Sequence, residues 1–200
     1  MHKFKNLKGK LASVAIKLDM EKAYDRLECD FIHNCFHELG FHRTWNKWIM
    51  ECVSSISNSI IVNDESNGFF TTSRGIRQGD PLLPYIFIIC MEVLNSTLIK
   101  QAMMPKSGIG VNISPRTISI PCILFTDDCL IFCKVKPTIC HKLKSIVDNF
   151  CSVSGQLVNF EKSVRTFSRN ATNHQEGQIA GIFDIQGRES LGKYLGCPIF

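Results

Sequence analysis

The ten cysteines of this 200-residue chain include no C-x-x-C pair, and no paired histidine spacing accompanies them. That argues against a structural zinc site or a spacing-defined disulfide framework. Most of the cysteines lie inside apolar runs such as Ile88-Ile89-Cys90-Met91 and Cys129-Leu130-Ile131-Phe132-Cys133. A reduced thiol there behaves as a small core hydrophobe, and the expectation is a reducing, intracellular setting. Long apolar runs are also missing. Tyr85 to Met91 stops at Glu92, and Ala12 to Leu18 is interrupted by Lys17, so neither a membrane span nor a signal core is expected. There is no internal repeat and no low-complexity linker. Charge is sparse at 20% of residues, with a net +5 that permits a polyanionic partner without demanding one. The 44% of hydrophobic residues suffices to bury one compact core.

Residues 1–10 read as a basic, disordered segment ahead of a single domain over 11–200. Val14, Ile16 and Leu18 then alternate as in a half-buried strand, which delivers Asp19 at its end. Ile32, Cys35, Phe36 and Leu39 recur at helical spacing before Gly40, a C-terminal stop. Trp45, Trp48, Ile49, Cys52, Val53 and Ile56 predict an amphipathic helix. Ser59 to Asn63 and Phe69 to Ser73 predict a hairpin around the turn Asp64 to Gly68. Asp80-Pro81 predicts a helix start, with Asp80 as N-cap, running to about Lys100. Ile118 to Phe125 and Cys129 to Val135 read as strands. A helix follows Pro137, then strands at Val164 to Phe167 and within Lys193 to Phe200. Strands that pair as hairpins among helices predict an α+β fold, an antiparallel sheet with helices on one face.

Asp127-Asp128 falls between two strongly apolar strands. A solvated turn is the plain reading, since aspartate is a common turn residue. The chemical reading needs a third acid from elsewhere, and Asp19 ends an apolar strand that a sheet neighbour could bring alongside. Mg²⁺ takes hard oxygen ligands, usually one or two carboxylates with phosphate and water, and two ions together activate an attacking hydroxyl and stabilise the leaving group. A nuclease would use the same acids.

At this point the residues resemble a family. Lys17-Leu18-Asp19-Met20-Glu21-Lys22-Ala23-Tyr24-Asp25-Arg26 resembles motif A of reverse transcriptases. Arg74-Gly75-Ile76-Arg77-Gln78-Gly79-Asp80-Pro81-Leu82 resembles motif B, and Phe125-Thr126-Asp127-Asp128 motif C. Ser154-Gly155-Gln156 with Asn159 and Glu161-Lys162-Ser163 resembles motif D, and Lys193-Tyr194-Leu195-Gly196 the segment after it. Order and spacing are similar to those of non-LTR retrotransposons of the long interspersed element type, especially the plant ones.

The resemblance implies a right-hand polymerase palm that is an RNA-directed DNA polymerase. Its partners would be an RNA template, a DNA primer and deoxynucleoside triphosphates, with no membrane, and its cofactor two Mg²⁺ ions, with Mn²⁺ as the alternative. Asp19, Asp127 and Asp128 would bind metal, joined by the Met20 carbonyl. Tyr24 would gate the sugar against a 2′-hydroxyl, the group that distinguishes RNA from DNA. Gln78 and Gly79 would line the nucleotide pocket, and Arg77, with Arg74, would contact phosphate. Lys162 would protonate the departing pyrophosphate or neutralise the triphosphate.

Four positions depart from the pattern: Leu83 replaces serine, Thr126 alanine, Leu157 lysine and Cys29 tryptophan. None is a metal ligand. Most of the fingers and thumb are expected to be missing, which leaves the isolated chain weak or inactive, because positioning and neutralisation carry phosphoryl transfer. The alternative is a non-catalytic nucleic-acid-binding remnant of a decayed element. A nuclear location is implied by the family alone.

Overall fold

The computed structural model describes residues 4, 11–55, 57–71, 74–76, 79, 81–112, 114, 117–125, 128–188, 191, 193–194 and 197–198. Strand β1 spans Ser13–Asp19, followed by a single helical turn, α1, at Ala23–Arg26. Helices α2 (Cys29–Glu38) and α3 (Arg43–Ser54) come next, then strands β2 (Ser57–Val62) and β3 (Glu65–Thr71). Helix α4 covers Leu83–Met103, β4 Cys122–Phe125, β5 Asp128–Lys134 and α5 Pro137–Ser154. The chain goes on through β6 (Val164–Phe167), α6 (Asn173–Phe183) and β7 (Gln186–Gly187). A short antiparallel pair follows, β8 (Lys193–Tyr194) with β9 (Cys197–Pro198).

The main sheet has five strands in the order β4-β5-β1-β6-β7, antiparallel except for the β6–β7 edge. Its two faces are covered differently. Val14, Ile16 and Leu18 of β1, with Cys129, Ile131 and Cys133 of β5, join one large core with Leu94 and Leu98 of α4 and Leu143 and Val147 of α5. The alternate residues Ala15, Leu130, Phe132 and Val164 form a smaller cluster on the opposite face with Phe4, Val111 and Leu191. Strand alternation thus sends one set of side chains to the helices and the other to a thinner cover. Burying each large aliphatic side chain contributes about 1.5–3 kcal/mol, so the helix side supplies most of the cohesion. The α+β reading, helices on one face of an antiparallel sheet, holds.

Helix α4 is long and apolar enough to cross a membrane by length and composition, and longer than the run ending at Glu92 suggested. In this fold it is a core helix: Leu83, Ile86, Phe87, Cys90, Met91, Leu94 and Leu98 are buried against the rest of the domain.

Four local expectations are corrected. Helix α4 starts at Leu83 with Pro84 in its first turn rather than at Pro81. Pro84 lacks an N–H where helical donors are unpaired anyway, while Asp80 lies outside the described residues. The β2–β3 turn is the tight pair Asn63-Asp64, both left-handed at φ 51° and 65°, which matches strand twist. Gly68, which drew the expected turn toward itself, instead sits within β3 beside a register shift between Asn58 and Ile60. In α3 the inward residues are Asn46, Ile49 and Val53, while Trp45, Trp48 and Cys52 face out. Lastly, β4 begins at Cys122 because Pro121 cannot donate to the sheet, although its carbonyl accepts the Phe132 N–H at 2.8 Å, and Ile120 before it bridges to Val111.

Candidate active site

Register brings two acids together. Strands β1 and β5 pair antiparallel with Asp19 directly opposite Asp128, the last pair of a seven-residue ladder. Directly opposed residues have Cα atoms about 4.5–5.5 Å apart and side chains on the same face. That face is the thinly covered one, because Asp19 follows Ala15 and Lys17 at intervals of two. Lys17 on the same face reaches Asp128, its Nζ 2.9 Å from Oδ1. Asp127 lies outside the described residues, as do Arg77 and Gln78 of the pocket reading. Among the described residues there is no group of three or more His, Cys, Asp or Glu fit to hold a metal. The described donors, two facing hard-oxygen carboxylates, nonetheless suit Mg²⁺, which needs only one or two from protein.

The end of β1 is tied from the opposite side by motif D. The Asp19 N–H donates to Ser163 Oγ at 3.1 Å, and the Asp19 carbonyl accepts from the Asn159 N–H at 2.9 Å. Met20 forms an antiparallel bridge with Val158, and the Glu21 N–H donates to the Leu157 carbonyl at 2.8 Å. Asn159 closes its own turn by accepting the Lys162 N–H at 3.1 Å on Oδ1. Lys162 is therefore exposed in a loop whose next residue, Ser163, touches the backbone of Asp19.

After Met20 the chain reverses through Lys22, a non-glycine residue at φ 46°. This uncommon conformation for a residue with a Cβ starts α1 and turns Tyr24 back onto the domain. The Tyr24 ring lies 4.8 Å from that of Phe87 on α4, tilted by 51°. The Tyr24 carbonyl accepts the Ile76 N–H at 3.0 Å, and the Gly75 N–H donates to Leu27 at 2.8 Å. A Cβ on Gly75 would stand 2.8 Å from the Asp25 carbonyl, so only glycine lets motif B lie this close to motif A. Arg74 pairs with Glu28 at 2.8 Å, which makes it a pin between these segments as well as a surface cation. Gly79 adopts φ 91° in open space, so its glycine serves backbone shape rather than packing.

The Ser154-Gly155-Gln156 run is a clamp on α1. Gln156 Nε2 donates to the Ala23 carbonyl at 2.7 Å, Arg26 Nε to the Gly155 carbonyl at 3.2 Å, and the Glu28 N–H to the Ser154 carbonyl at 3.0 Å. The resemblance places Ser154-Gly155-Gln156 in motif D and Lys17 at the start of motif A without giving any of them an individual role. For Lys17, its spacing of two from Asp19 on a strand was the available signal.

The thiols of Cys122, Cys129 and Cys151 belong to the helix-side core, on the face of the sheet away from the carboxylates. Cys129 is buried beside Asp128, and desolvation pushes its thiol well above the ordinary range. Burial, with Glu92 nearby, pushes Cys122 up to about 12, and burial pushes Cys151 up to about 11.

Paired strands that deliver facing carboxylates on one side of a helix-backed antiparallel sheet match the palm-like fold that the resemblance implies. The model of the family described as reverse transcriptase (RNA-dependent DNA polymerase) matches residues 2–199. The chain belongs to this reverse transcriptase family.

Its relatives agree. It is 25% identical over 201 residues to a retrovirus-related Pol polyprotein from the type-1 retrotransposable element R2 of Popillia japonica, covering 97% of this chain and 32% of that one. Over 145 residues it is 26% identical to the corresponding type-2 element polyprotein of Drosophila melanogaster, covering 72% of this chain and 13% of that one. A 46% identical stretch of 68 residues, 34% of this chain and 55% of the other, matches an uncharacterised mitochondrial protein of Arabidopsis thaliana. In fold it is similar to telomerase from Candida albicans in a complex with a fragment of telomeric RNA, with a TM-score of 0.57 and 14% identity over 80% of this chain and 27% of that one. Apo telomerase from Candida tropicalis gives a TM-score of 0.52 and 19% identity over 85% and 33%. The chain is thus a reverse transcriptase domain with non-LTR retrotransposon relatives, and it spans a third or less of the retrotransposon polyproteins.

Proposed function

We propose that this domain is the catalytic palm of an RNA-directed DNA polymerase that adds deoxynucleotides to a primer along an RNA template. The observation that supports the reading best is the register that sets Asp19 opposite Asp128 at the open end of the sheet. In this reading Asp19, Asp127 and Asp128 hold two Mg²⁺ ions, with Mn²⁺ able to substitute, and the Met20 carbonyl contributes an oxygen. When bound, those ions would neutralise charge at the transferring phosphate and activate the attacking 3′-hydroxyl. The protein's own part is positioning. Strand pairing on one side and the Ser163 hydroxyl on the other hold Asp19 still, so little reorganisation is left for the reaction. Tyr24, backed by Phe87, excludes a 2′-hydroxyl by bulk, while Arg77, Gln78 and Gly79 contact the nucleotide and Lys162 offers a proton or a charge to pyrophosphate. The workplace is intracellular, in the nucleus, where an element of this kind primes synthesis on chromosomal DNA.

Primer extension on an RNA template with deoxynucleotides and Mg²⁺ or Mn²⁺ tests this, using the chain alone and joined to the finger and thumb segments of a related polyprotein. The joined form should extend the primer, and Asp19→Asn or Asp127→Asn should lower extension by roughly 10³-fold. The chain alone should extend little. A joined form that binds template in a salt-sensitive way, indifferent to both substitutions and never extending, would overturn the reading in favour of a non-catalytic binding remnant.

A further inference from the structure

Lys17 stands beside the acids without a role in the transfer reaction. It lies on β1 two residues before Asp19 and so projects to the same face. Its register partners on either side, Leu130 of β5 and Val164 of β6, are both buried. A lysine stem laid between two apolar neighbours directs its charged end along the strand, toward the polar end of the sheet. The ammonium meets Asp128 there, and the two side chains are only 16% and 21% exposed. Salt and water screen such a pair much less than they screen the helix-surface pairs Lys47–Glu51 and Lys144–Asp148.

We propose that Lys17 is a built-in counter-ion of the carboxylate pair, which holds Asp128 before divalent cation arrives and yields that contact on loading, so that it sets the cation concentration at which the site fills. The inference rests on the metal-holding reading of Asp19 and Asp128. Like charges directly opposed across a strand pair destabilise a sheet, and the β1–β5 register imposes that opposition. A cation on the same face offsets it. A lysine suits a contact that must be released, because a compact ammonium on a flexible stem can swing away more readily than a rigid guanidinium fork. A residue that only pinned the fold would affect stability and leave cation affinity alone.

Binding of Mn²⁺ alone to the 200-residue chain, followed by calorimetry and by the paramagnetic resonance of free Mn²⁺, separates the possibilities. Lys17→Met keeps a stem of similar shape between Leu130 and Val164 and removes the charge, and should tighten Mn²⁺ binding about tenfold. Lys17→Arg, whose guanidinium fork releases the acid less readily, should bind Mn²⁺ more weakly than the parent, while Asp19→Asn and Asp128→Asn should abolish binding. If Lys17→Met binds no more tightly than the parent while the aspartate variants still lose the ion, the counter-ion proposal is wrong and the metal reading survives. Binding in the parent that is absent, or indifferent to both aspartate substitutions, removes the metal reading and this proposal with it. A second measurement needs no variant: acetylation of Lys17 in the parent should quicken several-fold on saturation with Mn²⁺, with Lys144 unchanged as the internal reference. An unchanged Lys17 rate in Mn²⁺-saturated protein would also overturn the proposal.

Discussion

Strand β1 and strand β3 are each seven residues long, yet β1 is buried along most of its length and β3 is exposed throughout, as is its partner β2. The composition of the two regions does not explain the contrast. The hairpin carries Ile60, Ile61, Val62, Phe69 and Phe70, with Phe69 82% exposed and Ile61 72% exposed. What differs is pairing. β1 has strand neighbours on both sides and core on both faces, whereas β2 and β3 pair in a sheet of two. An acid that must sit accurately is placed on the first kind of strand, and the second kind leaves its apolar side chains exposed among the described residues.

The largest expected difference between these regions is chemical. With an alkylating reagent at pH 8, exposed Cys52 near the end of α3 should be labelled early, while buried Cys129 should react at least ~10³-fold more slowly, through unfolding alone. Mass spectrometry of partly labelled protein measures both at once, and equal rates would show the central sheet to be loosely packed. Next in size is the core contrast. Ile16→Ala should lower unfolding free energy by about 3–4 kcal/mol in urea titration, against less than about 0.5 kcal/mol for Ile61→Ala on the hairpin.

The glycines sharpen the same comparison. Gly155 and Gly68 both have left-handed backbones, at φ 77° and 68°. An alanine at 155 would press its Cβ against the Arg26 carbonyl and the Glu28 side chain, while one at 68 would meet open space. Gly155→Ala should therefore cost ~2–4 kcal/mol and Gly68→Ala ~1 kcal/mol, both read from urea melts. At the site itself, Ser163→Ala removes the hydroxyl that accepts the Asp19 N–H and should cost ~1 kcal/mol. A cost near zero would mean that strand pairing alone holds the acid.

Much of this was legible in advance where pattern and chemistry agreed. The alternation Val14, Ile16, Leu18 located β1 and its acid, and Pro137 opened α5 as expected. Motif order anticipated that Asp19 and Asp128 would meet, though no spacing could specify that they would be register partners. The misses have physical reasons. Trp45 and Trp48 fit a helical stripe by hydrophobicity, but the side of α3 that meets the domain is the one bearing Ile49 and Val53, and its buried Asn46 donates to the His33 carbonyl. Helix α6 was not anticipated because Gly177 and Gly181 weaken its propensity, although the reciprocal cap between Thr172 and Gln175 was a readable start signal. Nothing local to Lys17 signals its partner, because Asp128 lies on another strand.

The hydrogen bond from Asp19 to Ser163 joins residues 144 positions apart, and that separation bears on how the protein comes into being. Contacts so distant in the chain close late, after the cost of ordering everything between them has been met. A ribosome must finish β6 before β1 gains its second edge, so the nascent chain carries Asp19 without that neighbour until Val164–Phe167 has been made.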